Sequence, residues 1–329
     1  MTDSQDIRHN NAPPLLQTTA AADAIEMADL QDELQLECHQ VDAGRFTGSL
    51  TRLTLGDARI VNETHDRGLH KHGHMPAGQC AISVLLEPSP QAWFMHHGAD
   101  GDSPLFLLAG DTEFDLYVPG GMETLYLALD QADLIRDARQ LDPQAWEHPP
   151  EGLACLGSTA RRGFIQALRT AQHLARQLPE IEAAVLHQGL QQEITLLLGQ
   201  AATVRSRPLR AHRQRARKLR ILREARAYID ACLDRQHSPG IVEICAQLGV
   251  CERSLQYSFR DLLQLTPVAY LRGRRLHRAR RDLLATPPGT ATVTAIALRY
   301  GFLHLGKFAQ DYRRQFGERP STTLVRLPR

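Results

Sequence analysis

The sequence predicts an α+β protein in two parts, an N-terminal β domain with a pair of helices and a C-terminal all-α domain carrying two helix-turn-helix units. Three observations predict it. Short strand-like segments crowd the stretch from Phe46 to Asp130. A helix, glycine turn, helix pattern occurs twice in the last third of the chain, its glycines Gly249 and Gly301 lying 52 residues apart. Residues 1–204 carry 12 Lys and Arg against 28 Asp and Glu, a net of −16, whereas residues 205–329 carry 26 against 9, a net of +17. An acidic half joined to a strongly basic one points to an anionic partner for the basic half, nucleic acid or an anionic membrane surface.

A chain of 329 residues suits two or three domains at roughly 100 to 200 residues each. With 43% hydrophobic and 23% charged residues the composition is that of a globular protein. Apolar runs such as Leu105 to Ala109 and Leu196 to Leu198 are far shorter than a bilayer span, and the polar start, Met1 to Thr19, has no apolar signal segment. No membrane partner and a cytoplasmic location are expected. The six cysteines form no CxxC pair, so they are read as reduced, mostly buried thiols, with Cys245 and Cys251 as small core residues in preference to a redox pair.

In chain order, the candidate strands are Phe46 to Leu55, Ala58 to Val61, Gln79 to Leu86, Ala92 to His96, Leu105 to Leu108, Phe114 to Val118 and Glu123 to Leu129, with a turn at Pro119-Gly120-Gly121. So many short strands without helices between them suggest a barrel or sandwich. After Gln131 the spacing becomes helical, with long amphipathic candidates from Thr159 to Gln177 and from Ile181 to Leu198, separated by Pro179. Their remaining apolar stripe is a candidate surface for a homodimer. Arg205 to Arg223 holds nine basic residues and no acid, and reads as a solvated tether, with phosphate contact as the alternative.

Leu222, Ala225, Ile229 and Cys232 keep helical spacing, and Ser238-Pro239 ends that pattern before a helix from Ile241 to Leu248. Gly249 supplies the left-handed residue of the turn, and Val250 follows as an apolar plug. The next helix, Glu252 to Leu263, buries Leu255, Phe259 and Leu262 and leaves Arg253, Gln256, Tyr257 and Arg260 open. The unit repeats with Val293, Ile296 and Ala297, a turn at Gly301-Phe302, and a stripe of Phe308, Tyr312 and Phe316. Between the units, Thr266-Pro267 caps a helix through about Ala285, with Leu271, Leu276, Ala279 and Leu283 facing inward. Such a helix is a rigid spacer of roughly 28 Å, which suits two recognition helices about one DNA turn, near 34 Å, apart.

From about Leu219 to Leu324 the chain resembles the AraC/XylS family of transcription regulators. The resemblance is most specific at Ile296-Ala297-Leu298-Arg299-Tyr300-Gly301-Phe302, followed by Phe308, Tyr312, Phe316-Gly317 and Pro320, and Tyr270-Leu271, Arg275-Leu276 and Ala279-Arg280 match the family's linker helix. It implies that each recognition helix lies in a major groove, that the upstream half is a cupin-like effector-binding and dimerisation domain, and that RNA polymerase is a partner of an activator. The expected division is a disordered tail at residues 1–22, a sensing and dimerisation domain at 23–200, a basic linker at 201–218 and a DNA-binding domain at 219–327, with helix-turn-helix units about 241–263 and 293–316. Four positions depart from the family pattern. Cys251 stands where a serine N-cap is usual, Leu303 and His304 occupy the polar start of the second recognition helix, and Tyr257 replaces an arginine. Capping at both helices should therefore be poorer.

The candidate base contacts are Arg253, Gln256 and Tyr257 in the first unit and His304, Lys307 and Gln310 in the second, since Arg reads guanine and Gln reads adenine through paired hydrogen bonds. Arg260, Arg313 and Arg314 are candidate phosphate contacts. In the upstream half, His65, His70, His72 and His74, with His96 and His97 further on, raise a His-x-His metal site. The acidic partner is missing, because Met75-Pro76-Ala77-Gly78-Gln79 follows, so no metal is expected and the histidines are read as a polar loop or strand edge. Nucleotide-binding glycine loops, GxSxG elbows and HExxH helices are lacking, so no catalytic residue, cofactor or enzymatic role is expected. A small-molecule effector, if bound, would lie inside the β domain among Trp93, Phe94, Phe106, Phe114 and Tyr117, residues for which plain core is the favoured reading. The alternatives to a ligand-responsive activator are a ligand-independent repressor or nucleoid-type binder, and a metal-binding cupin-type sensor.

Overall fold

A computed structural model describes residues 15–325 except 96, 100–104, 145, 148–150, 157–159, 179–181, 203–212 and 288. The N-terminal elements are β1 (Leu16–Ala21), α1 (Ala24–Asp29), β2 (Gln35–Gln40), β3 (Gly48–Leu55), β4 (Ala58–His65), β5 (Leu69–Met75), β6 (Gln79–Leu85), β7 (Ser89–Phe94), β8 (His97–Ala99), β9 (Leu105–Leu108), β10 (Thr112–Val118), β11 (Glu123–Asp130), α2 (Gln131–Leu141), β12 (Leu153–Leu156), α3 (Arg161–Gln177) and α4 (Ala183–Ala202). Seven strands pair in the order β1-β3-β4-β11-β6-β9-β12 and five in the order β2-β5-β10-β7-β8, so two antiparallel sheets face each other. The seven-stranded sheet turns Leu53, Ile60, Ile82 and Leu127 outward, where Phe164 and Leu168 of α3 and Leu190 and Ile194 of α4 cover them. Alternation along each strand makes this possible, because residues two apart share a face.

The C-terminal elements are α5 (Arg213–Asp234), α6 (Ile241–Leu248), α7 (Glu252–Leu263), α8 (Pro267–Ala285), α9 (Val293–Arg299), α10 (Leu305–Phe316) and α11 (Pro320–Leu324). Both helix-turn-helix units and the spacer α8 stand where helical spacing, the glycine turns and the Thr266 cap put them. Thr266 accepts from the Ala269 N–H at 3.1 Å, and Pro267 occupies the first helical position.

Four expectations need correction. Residues 16–21 are no tail: they pair with Leu53 to Gly48 of β3, and the rest of the expected tail, residues 1–14, lies outside the described residues. The basic linker is shorter than read, because α4 runs to Ala202 and α5 begins at Arg213. Leu219, Leu222, Ala225 and Ile229 give α5 a buried stripe, so tertiary packing fixes as helix a segment whose charge alone suggested a tether; residues 203–212 of that segment lie outside the description. The histidines do not form a strand edge, since β5 is enclosed between β2 and β10 and His65 and His70 are buried; His96 and the His97 side chain lie outside the description. Cys251 is exposed and is not a core residue, and Cys155 and Cys245 are half-buried, while Cys38, Cys80 and Cys232 are buried.

Candidate nucleic-acid interface and effector cavity

Gly249 closes α6 in the left-handed region at φ +62°, and Gly301 does the same after α9 at φ +73°; an L side chain is strained in either place. The first turn swings α7 so that Leu255, Phe259, Leu262 and Leu263 seat against Leu222, Ala225 and Ile229 of α5. The opposite face of α7 is left open: Arg253, Tyr257 and Arg260 are exposed and Gln256 is half-buried. Arg253 donates to the Tyr257 hydroxyl at 3.3 Å, with its guanidinium 5.4 Å from the ring centre. Gln256 donates to Glu252 Oε1 at 2.9 Å. Each of these bonds ties a side chain to a neighbour one turn away on the same helix.

In the second unit, Phe308, Tyr312 and Phe316 of α10 pack on Leu276, Ala279 and Leu283 of α8. His304, Lys307, Gln310, Arg313 and Arg314 are exposed on the other side. Lys307 and Arg314 both reach the buried Asp311, at 3.4 and 3.3 Å, an anchor that spacing alone did not reveal. Neither Cys251 nor His304 makes a side-chain cap bond, as their residue types predict. Cys251 instead contacts Ser254 Oγ at 3.3 Å, and this bond pulls its thiol below the usual cysteine range.

The helical domain rests on the outer face of the five-stranded sheet, and the contacts are polar and buried. Trp93 Nε1 donates to the Leu262 carbonyl at the end of α7, at 3.2 Å. Next to it, His70 Nε2–H donates to Asp115 Oδ1 at 2.7 Å, Arg226 of α5 pairs with the same oxygen at 2.8 Å, and the Tyr270 hydroxyl of α8 donates to His70 Nδ1 over 3.3 Å. One N–H and one lone pair used in this way define a neutral imidazole. Burial pushes His70 below the ordinary histidine value. Burial would raise Asp115, but His70 and Arg226 outweigh it and hold the carboxyl down. Further along, His277 Nε2 donates to the Gln40 carbonyl at 2.9 Å, and Arg280 spans Asp23 at 3.0 Å and Glu318 at 2.7 Å. Gln40 Nε2 also donates to the Gln315 carbonyl of α10 at 3.0 Å. Both α7 and α10 are therefore tied to the β domain at their C-terminal ends.

Between the sheets lies a cavity of about 90 Å³. Trp93, Phe94, Phe106, Phe114 and Tyr117 are all among the residues that line it, and four of them, Trp93, Phe106, Phe114 and Tyr117, are also buried in the hydrophobic core. Two polar residues that the sequence reading missed, Glu63 and Lys71, form an ion pair in its wall. Their signal was available: Lys71 alternates in phase with Leu69 and Met75, and Glu63 with Val61, so both share the apolar phase of their strands. Among the described residues, ligand atoms of Cys232, His237 and Glu243 come within 4.8 Å of one another. Glu243 is engaged there with Tyr228 at 2.6 Å and His237 at 3.0 Å, and its carboxylate reaches the Gly240 N–H as a capping box.

A family model described as a helix-turn-helix domain matches residues 244–326. The chain is 40% identical over 108 residues to a probable thc operon regulatory protein of Rhodococcus erythropolis, a match covering 33% of this chain and 32% of that protein. It is 46% identical over 84 residues to the XylDLEGF operon transcriptional activator 2 of Pseudomonas putida, covering 25% of this chain and 54% of that protein. The match thus spans about a third of the first relative's length and about half of the second's. A solved structure of a probable AraC family transcriptional regulator from Rhodopseudomonas palustris is 37% identical, with a TM-score of 0.29, over 32% of this chain and 94% of that one. Among the described residues no helix is long and apolar enough to cross a membrane. With its paired helix-turn-helix units and these identities across them, the C-terminal part of the chain carries a helix-turn-helix domain of the kind found in the AraC/XylS family of transcription regulators.

Proposed function

We propose that the chain binds operator DNA through α7 and α10 in two successive major grooves and activates transcription in response to a small molecule held in the cavity of the β domain. The observation that carries this reading is the pair of solvent-facing helices, each with its apolar stripe buried and Arg, Lys, Gln and His on the open side, in a half-chain of net charge +17. In this reading Arg253, Gln256, Tyr257, His304, Lys307 and Gln310 contact base edges, and Arg260, Arg313 and Arg314 contact phosphates. Residues 213–325 bind DNA and residues 16–202 sense and dimerise. Activation follows the name of the Pseudomonas relative, and RNA polymerase is the partner that the family resemblance implies.

The effector acts through Trp93, which lines the cavity on one side and bonds α7 on the other. For the homodimer, α4 offers a stripe of Val185, Gly189, Gln192 and Leu196 on one exposed face, with Val185 58% and Leu196 56% exposed. DNase footprinting of the full chain on genomic fragments that it selects tests the reading. A footprint of about two major-groove turns per subunit is expected, whereas uniform coating of any fragment would overturn sequence-specific regulation.

A further inference from the structure

We infer that the cavity between the sheets takes a neutral, ring-sized apolar molecule bearing one hydroxyl group, and that it selects against anions. This deepens the sensing role proposed above and rests on it. The walls set the apolar part. Trp93, Phe94, Phe106, Phe114, Met75 and Leu108 line a space of about 90 Å³, several times what one water needs and of the order that holds a single ring.

The polar part is set by a small group in the same wall. Glu63 is 1% and Lys71 4% exposed, and Lys71 Nζ sits on Glu63 Oε2, so the charges inside the cavity are already balanced. Glu63 Oε1 and Thr124 Oγ1 are buried and have no hydrogen-bond partner among the described residues, His65 Nε2 standing 3.8 Å from Glu63 Oε1, beyond hydrogen-bond distance, and both Glu63 and Thr124 line the cavity. A buried acceptor left open is costly, so the site favours an occupant that donates to it. Tyr126, also in the wall, already spends its hydroxyl proton on Glu33 Oε1 at 2.5 Å and does not supply that donor. Lys71 keeps ammonium protons beyond the one on Glu63. A hydroxyl serves both sides, donating to Glu63 Oε1 and accepting from Lys71. A carboxylate would have to take Lys71 from Glu63 and lie against the Glu63 oxygens, two like charges in a buried site.

The test titrates full-length protein with toluene, benzyl alcohol, benzoate and benzylammonium. Binding is read by calorimetry on the unaltered chain and by emission of Trp93 in a Trp146→Phe variant, since the chain has two tryptophans. Benzyl alcohol is expected to bind about tenfold more tightly than toluene or benzoate, the effect of one buried hydrogen bond. Glu63→Gln leaves the Lys71 ammonium without its counter-charge and is expected to make benzoate the tightest of the four. The double variant Glu63→Met, Lys71→Met keeps the site neutral if the single one does not fold, removes both hydrogen-bond partners, and is expected to bind toluene and benzyl alcohol alike. Benzoate or benzylammonium tightest in the unaltered chain, toluene equal to benzyl alcohol, or no binding by any probe up to its solubility limit overturns the inference. If benzyl alcohol binds as expected and the DNA footprint does not respond, the sensing role fails while the ligand class stands.

Discussion

Trp93 Nε1 donates to the carbonyl oxygen of Leu262 across 169 residues of sequence, and Trp93 is also among the residues that line the cavity. The bond therefore joins the β domain and the helical domain through one side chain. Leu262 lies in the last turn of α7, where carbonyls have no partner within the helix. Trp93→Phe keeps a ring in place but leaves that carbonyl without its donor. The urea midpoint is expected to fall by an amount equivalent to about 1 kcal/mol with an unchanged slope. DNA affinity without effector should then become less sensitive to any ligand of the cavity. An unaltered midpoint would remove Trp93 from the coupling.

Acid should loosen the interface between the two halves. His277 is held neutral, its value pushed down to about 4 first by burial, with Arg274 and Arg280 adding to the effect; it bonds the Gln40 carbonyl of the β domain. A folded value below the unfolded one means that the unfolded chain binds the extra proton first. Stability is therefore full above the ordinary histidine value near 6.5 and falls as pH drops toward 4. The loss reaches on the order of 3 kcal/mol at the low end. Burial also lowers His70 and His65, so they act in the same direction. Stability of His277→Gln measured from pH 7 to pH 4 should be distinctly flatter than that of the unaltered chain.

Arg280 is expected to be the most damaging single truncation on α8. It is buried, spans Asp23 and Glu318 and stacks 4.7 Å from the Phe316 ring centre. Asp23 in turn caps α1, accepting from the Ile25 and Glu26 N–H groups at 2.9 Å each. Arg280→Ala strands two carboxylates and should cost about 3 to 5 kcal/mol in equilibrium unfolding. Exposed Arg313→Ala should change stability by no more than about 0.5 kcal/mol. Equal costs for the two would mean that the buried network contributes little.

The helical third was legible because its signals are local. Gly249 and Gly301 need a left-handed residue, Thr266-Pro267 announces a cap, and the stripes from Leu255 to Phe316 repeat within a few turns. The β half was legible only where alternation is strong. β5 reads Leu-His-Lys-His-Gly-His-Met, a poor strand by composition, and it is a strand because β2 and β10 pair on both its sides. Contacts such as His70 with Tyr270, 200 residues apart, depend on how the halves meet, and no window of sequence contains that information. Glu63 and Lys71 were visible as polar residues in apolar phase, but only their pairing across the cavity gives them meaning.

Recognition itself separates two kinds of residue on the open face. Gln256 spends its amide on Glu252 Oε1, one turn away, and must release that bond to pair with an adenine edge. The exchange trades an exposed helix pair, worth a few tenths of a kcal/mol, for a bidentate base contact. Gln256→Ala is therefore expected to weaken binding to the selected operator by about 1 to 3 kcal/mol and to leave random DNA almost unaffected. Arg313, exposed in the last turn of α10, offers charge without base-edge geometry. Arg313→Ala should weaken operator and random DNA alike and lower the salt-dependence slope by about 1. Titrations on both DNAs at several salt concentrations separate the cases. Equal loss on both for Gln256→Ala would make it a phosphate contact and move base reading to its neighbours Arg253 and Tyr257.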